Sequence, residues 1–179
     1  MAELIPPTIR VRASFLEAVA EFLAEGRSGA NEKTLLELES RTYGSTWKTA
    51  SGFARYVADL VADALEETPR PAGYVPSTRL WWVDGDEYLG RLSIRHRLTP
   101  SLLEIGGHIG YDIRPTARRR GHATAMLQAA LPVAFGLGID PALITCSTDN
   151  VGSRKVILAA GGALEDERAG KLRFWVPTA

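Results

Sequence analysis

The sequence predicts a mixed α/β fold in a single domain, with a mainly antiparallel sheet. The 179 residues are enough to bury one sizeable core, and 45% of them are hydrophobic and 23% charged, as in an average soluble globular protein. Alternating strand patterns joined by tight turns predict hairpins in the middle and at the end of the chain. Helical patterns lie between strand patterns elsewhere, which is typical of a sheet covered by helices.

Charge and cysteine content exclude several classes of protein. Lys+Arg and Asp+Glu number 21 each, so the formal net charge is zero, which disfavours bulk nucleic acid or an anionic membrane as the partner. A single cysteine, Cys146, excludes an internal disulfide framework and a cysteine-rich zinc site. The three histidines lack the spacing of metal ligands, and the N-terminus lacks an apolar signal core. We therefore expect a cytoplasmic protein with no metal, membrane or nucleic-acid partner.

The first 78 residues are mainly helical in pattern. The predicted elements are a strand over 8–11, helices over 14–26, 32–40 and 53–65, and a loop over 69–78. Ser14 and Glu17 form a capping-box pattern at the start of the first helix, and Gly26 is a typical stop.

The period of the pattern changes after residue 78. The predicted elements are strands over 79–83, 88–97, 102–114, 142–147, 163–168 and 171–176, with helices over 121–136 and 153–160. Asp84-Gly85 is a strong signal for a two-residue hairpin turn. Pro132 lies inside a helical pattern and should kink or split that helix.

The stretch RRRGHA at 118–123 connects a strand to the start of a helix. Unpaired N–H groups at a helix N-terminus, together with the helix dipole, form an anion site. Gly121 lets the backbone approach a bulky anion closely. This pattern predicts a phosphate or pyrophosphate cradle, although three consecutive arginines also fit a solvated surface turn. The sequence contains neither a Walker P-loop nor a G-x-G-x-x-G fingerprint.

Two motifs resemble those of the GNAT N-acetyltransferase superfamily. Arg118-x-x-Gly121-x-Ala123 is similar to its coenzyme A signature, R/Q-x-x-G-x-G/A. Asn150-Val151-Gly152-Ser153, which follows the strand ending at Cys146, is similar to its N-x-x-A/S motif. The resemblance implies one domain over 1–179, with helices on both faces of the sheet and splayed central strands. It also implies that 1–78 shapes the acceptor side and that 79–179 binds coenzyme A.

The resemblance further implies a role for each residue of the two motifs. The implied coenzyme A-binding residues are Ile113, Arg118, Arg119, Arg120, Gly121, His122, Ala123, Thr124, Asn150 and Ser153. Backbone amides near Gly121 would bind the pyrophosphate, and the strand backbone at Ile113 would pair with the pantetheine arm. Asn150 and Ser153 equally fit a helix-capping role.

One departure from the family bears on mechanism. Many members carry a tyrosine seven residues after the asparagine to protonate the leaving thiolate, and this sequence has Ile157 there. A thiol with a pKa of about 8.5 leaves tolerably as thiolate. An acceptor amine with a pKa of about 10.4 must lose a proton first, which costs roughly 4–5 kcal/mol at pH 7. A general base is therefore the more valuable group.

The predicted strand over 102–114 offers candidates for that base. Glu104, His108 and Asp112 share one face, and Gly106 and Gly110 lie between them. Glu104 would lie about 26 Å from Asp112 along an extended strand, so His108 and Asp112 are the better candidates. The same pattern also fits an ordinary half-exposed strand with glycines at a bulge.

The sequence therefore predicts an N-acetyltransferase that moves acetyl from acetyl-CoA directly to an amine. The acceptor would be a small molecule or a peptide, and nothing in the sequence identifies it. The alternatives are a non-catalytic acyl-CoA-binding module of the same fold, or a nucleic-acid-binding domain that uses the 118–120 arginines. The sequence is compatible with a homodimer and does not specify the oligomeric state.

Overall fold

Helices and strands alternate along the chain in the computed structural model, which describes residues 1–25 and 35–179. The helices are α1 Arg12–Ala24, α2 Leu35–Tyr43, α3 Ala50–Ala62, α4 Pro100–Glu104, α5 His122–Gly136 and α6 Val151–Ala159. The strands are β1 Glu3–Ile5, β2 Ser77–Asp84, β3 Glu87–Arg95, β4 Ile109–Ile113, β5 Ala142–Ser147, β6 Ala163–Arg168 and β7 Lys171–Val176.

The strands in these two ranges form two antiparallel sheets. The first sheet has the order β1-β2-β3-β4, and the second sheet has the order β5-β7-β6. Both predicted hairpins are confirmed. Gly85 and Asp86 form the turn between β2 and β3, one residue later than expected, and Ala169 and Gly170 form the turn between β6 and β7.

Two hydrophobic clusters cover opposite faces of the first sheet, as the predicted fold requires. Trp82 and Leu92 lie in a cluster with Met126 of α5, and this cluster extends to the second sheet. Trp81 lies in a separate cluster with Phe15 of α1 and Phe53 of α3. Because neighbouring strand residues point to opposite faces, β2 contributes to both cores.

The N-terminal elements differ from the prediction. Residues 8–11 do not form the predicted strand. The Thr8 side chain accepts a hydrogen bond from the Arg10 N–H and starts a 3₁₀ turn, and β1 lies closer to the N-terminus. Ser14 is not the N-cap of α1, which begins at Arg12, because its hydroxyl accepts from the Tyr88 N–H and from Arg114 instead. The predicted stop at Gly26 and part of the predicted helix over 32–40 lie outside the described residues.

The predicted long strand over 102–114 is also wrong in its first half. Thr99 caps α4 by accepting from the Leu102 N–H at 3.2 Å, and Pro100 occupies the first turn. Thr99 followed by Pro100 is a typical helix start. The alternating apolar residues that follow favoured a strand instead, which is why the sequence did not predict this helix. Gly106 and Gly107, both with positive φ, then reverse the chain into β4.

The helices of the second half match the sequence closely. Pro132 does not split α5, which runs unbroken from His122 to Gly136. Asn150 rather than Ser153 caps α6, so that helix begins at Val151, two residues earlier than predicted. No helix within 1–25 or 35–179 is both long and apolar enough to cross a bilayer.

Candidate active site

A cavity of about 830 Å³ lies where the two sheets meet. Its walls come from β2, β3 and β4 of the first sheet and from β5 and Lys171 of the second. The starts of α5 and α6 line one end, and Glu39 of α2 and Leu60 of α3 line the other. The cavity therefore connects the two faces of the first sheet.

The opening between the sheets follows from how β4 and β5 meet. An isolated bridge joins Gly107 to Ile144, and the His108 N–H donates to the Leu143 carbonyl at 2.7 Å. A Cβ on Gly107 would lie 2.4 Å from that carbonyl oxygen, so the close approach requires glycine. Beyond this junction β4 and β5 belong to different sheets, which agrees with the predicted splayed strands.

The exposed edge of β4 carries backbone groups that can pair with an extended ligand. The Arg114 N–H donates to Leu89 of β3, so even-numbered residues of this segment direct their backbone groups toward β3. In an antiparallel ladder the alternate residues face the other way. The N–H and C=O groups of Ile109 and Tyr111 and the N–H of Ile113 therefore face the gap toward β5, and the Ile113 carbonyl accepts from Arg118 at 3.0 Å.

The start of α5 has the backbone geometry that the predicted anion site requires. Gly121, at φ +81°, is the N-cap and has no side chain to cap the helix. The first N–H to bond within the helix is that of Ala125, which donates to the Gly121 carbonyl at 3.0 Å. The N–H groups of His122, Ala123 and Thr124, all lining the cavity, therefore lack intrahelical acceptors. A phosphate group fits these donors and the open space beside Gly121.

The three arginines before Gly121 have different surroundings. Arg118 lines the cavity, but its guanidinium donates to Glu25 of α1 and to the Ile113 carbonyl and lies over the Phe22 ring. Its hydrogen bonds therefore attach the turn to α1. Arg119 is exposed at the cavity rim with φ +61°, and the exposed Arg120 is not part of the cavity lining.

His122 is held by a partner from the first sheet. The Trp82 indole N–H donates to its Nδ1 at 3.1 Å. In the neutral ring the proton then lies on Nε2, which leaves Nε2–H as a donor beside the helix start.

The opposite wall contains the second motif. The Asn150 side-chain oxygen caps α6 by accepting from the Ser153 N–H at 3.0 Å, while its amide NH₂ remains a donor. The Ser153 hydroxyl lies 2.8 Å from the Tyr111 hydroxyl. Tyr111 lines the cavity, and burial raises its pKa to about 12. Ile157 is fully buried in the core, one helical turn after Ser153.

The three candidate bases were predicted to share one face of a strand, and the structure does not place them together. Asp112 is half-buried, lines the cavity and lies 4.0 Å from Arg118. Glu104 lies on α4 rather than on a strand, is exposed, and pairs with Arg168 at 2.7 Å. His108 is 9% exposed, and its Nδ1 accepts from the Leu143 N–H at 2.9 Å. Glu104 and His108 are not part of the cavity lining given by the described residues.

His108 instead has the environment of a structural residue. Burial, with a smaller contribution from the charge of Arg95, lowers its pKa to about 4. The unfolded chain therefore binds one more proton than the folded protein between about pH 6.5 and 4. As pH falls through this range, His108 should destabilise the protein by up to about 1.4 kcal/mol per pH unit.

We expect His108→Asn to flatten this pH dependence, because the asparagine oxygen can replace Nδ1 as the acceptor and does not titrate. Chemical denaturation of the native and variant proteins at pH 4.5, 5.5 and 6.5 measures the difference. Parallel stability curves for the two proteins would contradict the assignment.

A buried ionic cluster was not predicted from the sequence. Glu39 of α2 accepts from Arg91 at 2.6 Å and from the Tyr56 hydroxyl at 2.7 Å, and it is 9% exposed at the cavity wall. Burial lowers the pKa of Arg91, but Glu39, together with smaller contributions from Tyr88, Tyr56 and Asp112, more than offsets it, so the net shift is upward. The sequence did contain one signal for this cluster. Arg91 lies within the strand pattern of β3, and a charged residue that is buried in a strand needs a charged or polar partner.

A family model described as an acetyltransferase (GNAT) domain matches residues 27–163 of the chain. No curated protein sequence matches this chain.

Solved structures match nearly the whole chain at low sequence identity. The microcin C7 self-immunity acetyltransferase MccE, in complex with acetyl-CoA and AMP, is 13% identical with a TM-score of 0.64 over 98% of this chain and 92% of its own. The PaiA N-acetyltransferase of Thermoplasma acidophilum, in complex with coenzyme A, is 10% identical with a TM-score of 0.58 over 99% of both chains. RimL, a ribosomal alpha-N-protein acetyltransferase in complex with coenzyme A, is 15% identical with a TM-score of 0.59 over 99% and 95%. At these identities the likeness shows the fold.

Proposed function

The chain belongs to the GNAT acetyltransferase family, and we propose that it transfers acetyl from acetyl-CoA directly to the amine of a small molecule or peptide. The observation that carries this proposal is the continuous cavity. It is lined by the free N–H groups at the start of α5, by the edge of β4 and, on the face of the first sheet that carries Arg91, by Asp112. Direct transfer between two substrates requires that the cofactor site and the acceptor site open into the same cavity.

The chain's residues divide the work of binding along this cavity. Acetyl-CoA supplies the acetyl group as an activated thioester. The free N–H groups at the start of α5 bind its pyrophosphate, with Nε2–H of His122 as a further donor. The edge of β4 at Tyr111 and Ile113 pairs with the pantetheine amides as an added strand would. The Asn150 amide NH₂ donates from the opposite wall.

Asp112 is the best-supported general base among the three candidates. Its carboxylate lines the cavity on the face of β4 that carries Gly110, and it lies opposite Arg91 in the β3–β4 ladder. It removes a proton from the acceptor ammonium, which makes the amine nucleophilic. Glu104 and His108 have their acceptor groups in other hydrogen bonds outside the cavity.

Tyr111 can assist departure of the thiolate. A tyrosine hydroxyl is protonated near neutral pH, burial raises the pKa of this one further, and the Ser153 hydroxyl orients it from 2.8 Å. A hydrogen bond from this hydroxyl would stabilise the sulfur as the thioester breaks. Tyr111 thus compensates in part for the absence of a tyrosine at position 157.

The direct mechanism needs no covalent enzyme intermediate. Cys146 is 6% exposed, and burial raises the pKa of its thiol, which disfavours the thiolate.

The experiment that tests the function is turnover of acetyl-CoA with a panel of primary amines, followed by release of free thiol and by mass spectrometry of the products. The native protein and Cys146→Ala should both form acetylated amines. Coenzyme A binding without turnover on any amine would favour the non-catalytic acyl-CoA-binding module. Loss of activity in Cys146→Ala, with coenzyme A binding retained, would contradict direct transfer.

A further inference from the structure

The acceptor end of the cavity is rich in arginine. Arg79 of β2 and Arg91 and Arg95 of β3 all line it, and the two β3 residues share a face because they lie four positions apart. Ser93 lies between them on that face and pairs with Arg79 on one side and with Gly110 on the other. The three guanidinium groups therefore belong to one patch of the first sheet, on the face that also carries Asp112.

Carboxylates neutralise only part of this patch. Arg91 is paired with Glu39, as described above. Asp63 pairs with Arg79 at 3.0 Å and also lies 3.9 Å from Arg70. One carboxylate thus serves two guanidinium groups and neutralises Arg79 only in part, and Asp112 lies opposite Arg91 rather than opposite Arg95.

Arg95 lacks an anionic partner among the residues that the structure describes. Its Nη1 donates to the carbonyls of Gly106 and Gly107, at 3.1 Å each. Burial, and to a smaller extent the charge of Arg79, lower its pKa, so its charged form is disfavoured where it lies. A half-buried guanidinium paired only with neutral carbonyls is a costly arrangement in an otherwise neutral protein. An anion bound at this point would relieve that cost.

Arg95, Gly106 and Gly110 all line the cavity, so open space adjoins the guanidinium of Arg95. A Cβ built on Gly110 would lie 3.8 Å from Nη1 and Nη2 of Arg95, and one on Gly106 would lie 3.7 Å from Nη1. The guanidinium thus lies against two residues without side chains, within the cavity. Its Nε and Nη2 groups remain as donors in the planar geometry that matches a carboxylate or phosphate.

We propose that the acceptor is an anionic amine, whose carboxylate or phosphate binds Arg95 and Arg79 while its amino group reaches Asp112. This inference rests on the proposed function and specifies its substrate class. Arg95 and Arg91 are about 13 Å apart along β3, and Asp112 lies opposite Arg91. The long side chain of Arg95 can extend toward Asp112 and shorten the distance between the two groups. The remaining distance requires an acceptor whose amine and anion are several bonds apart.

Matched pairs of amines that differ only in the anion test the proposal. The pairs are 5-aminopentanoate with 5-aminopentanamide, 4-aminobutyl phosphate with 4-aminobutanol, and the C-terminally amidated dipeptide Ala-Glu-NH₂ with Ala-Gln-NH₂. The native protein should prefer the anionic member of at least one pair by about tenfold or more in kcat/KM, through KM. The pair that gives the largest ratio identifies a carboxylate, a phosphate or an acidic peptide as the source of the anion.

Variants separate the role of Arg95 from a general effect of charge. Arg95→Gln should reduce the preference to about twofold or less, and Arg95→Lys should restore part of it. Arg97→Gln is the matched control, because Arg97 follows β3, is exposed, and pairs with Glu66 outside the cavity. It should keep the native preference. Coenzyme A-induced thermal stabilisation checks that each variant is folded.

Two failures can be distinguished. Equal turnover of neutral and anionic amines by the native protein, or an unchanged preference in Arg95→Gln, would overturn this inference and leave the acetyltransferase function intact. Failure to acetylate any amine, with coenzyme A bound, would overturn the proposed function together with the inference.

Discussion

Gly121→Val should abolish the rise in melting temperature that coenzyme A gives the native protein, and weaken coenzyme A binding by about a hundredfold or more. Gly121 has φ +81°, a region that β-branched residues avoid, so valine would distort the turn before α5. Within residues 1–25 and 35–179, no atom lies within 4 Å of a Cβ built there. The added side chain would therefore occupy space that the bound pyrophosphate needs. Thermal shift and calorimetric titration with coenzyme A measure both effects.

Gly138→Val is the matched control for this change. Gly138 follows the other end of α5 and has φ +78°, and no atom of the described residues lies within 4 Å of a Cβ built on it. Both variants should lose a similar amount of stability, about 1–2 kcal/mol, from backbone strain. Only Gly121→Val should lose coenzyme A binding, and Arg119→Ala should weaken it less, because backbone amides provide most of the contacts. Native-like affinity in Gly121→Val, or equal loss in Gly138→Val, would contradict the assignment.

Asp112→Asn should lower kcat/KM at pH 7 by about a hundredfold or more while coenzyme A affinity stays near native. The asparagine keeps the shape of the side chain but cannot accept the proton of the acceptor ammonium. The variant's rate should therefore rise about tenfold per pH unit until the amine itself loses its proton, near pH 10. A pH–rate profile of kcat/KM for both proteins measures this shift of the acidic limb.

Asp86→Asn controls for the loss of one negative charge, since Asp86 is an exposed residue of the β2–β3 turn. It should keep the native profile. A loss of the acidic limb in Glu104→Gln or His108→Asn, rather than in Asp112→Asn, would identify a different base. Near-native rates in all three variants would show that solvent accepts the proton.

Local signals predicted most of the second half of the chain. The Asp84-Gly85 turn, the glycine stops after α5 and α6, and the strand-to-helix stretch at 118–123 depend on residues adjacent in sequence. Steric preferences of glycine and the unpaired N–H groups of a helix act over a few residues, so a single sequence contains them.

The errors have a common physical cause in contacts between distant residues. Ser14 is not a cap because Tyr88 and Arg114, which are remote in sequence, donate to its hydroxyl. Glu39 is a member of the cavity wall only because α2 packs over Arg91, 52 positions later. The role of Arg118 likewise depends on Glu25 of α1. Sequence spacing contains no information about such partners.

The first sheet acts as a shared wall between two separately packed cores. Substitutions among Phe15, Phe53 and Trp81 act on one cluster, and substitutions around Met126 act on the other. Effects of substitutions that share no partners are roughly additive. Each core can therefore drift on its own, except where Arg118 joins the turn before α5 to the first cluster through Phe22.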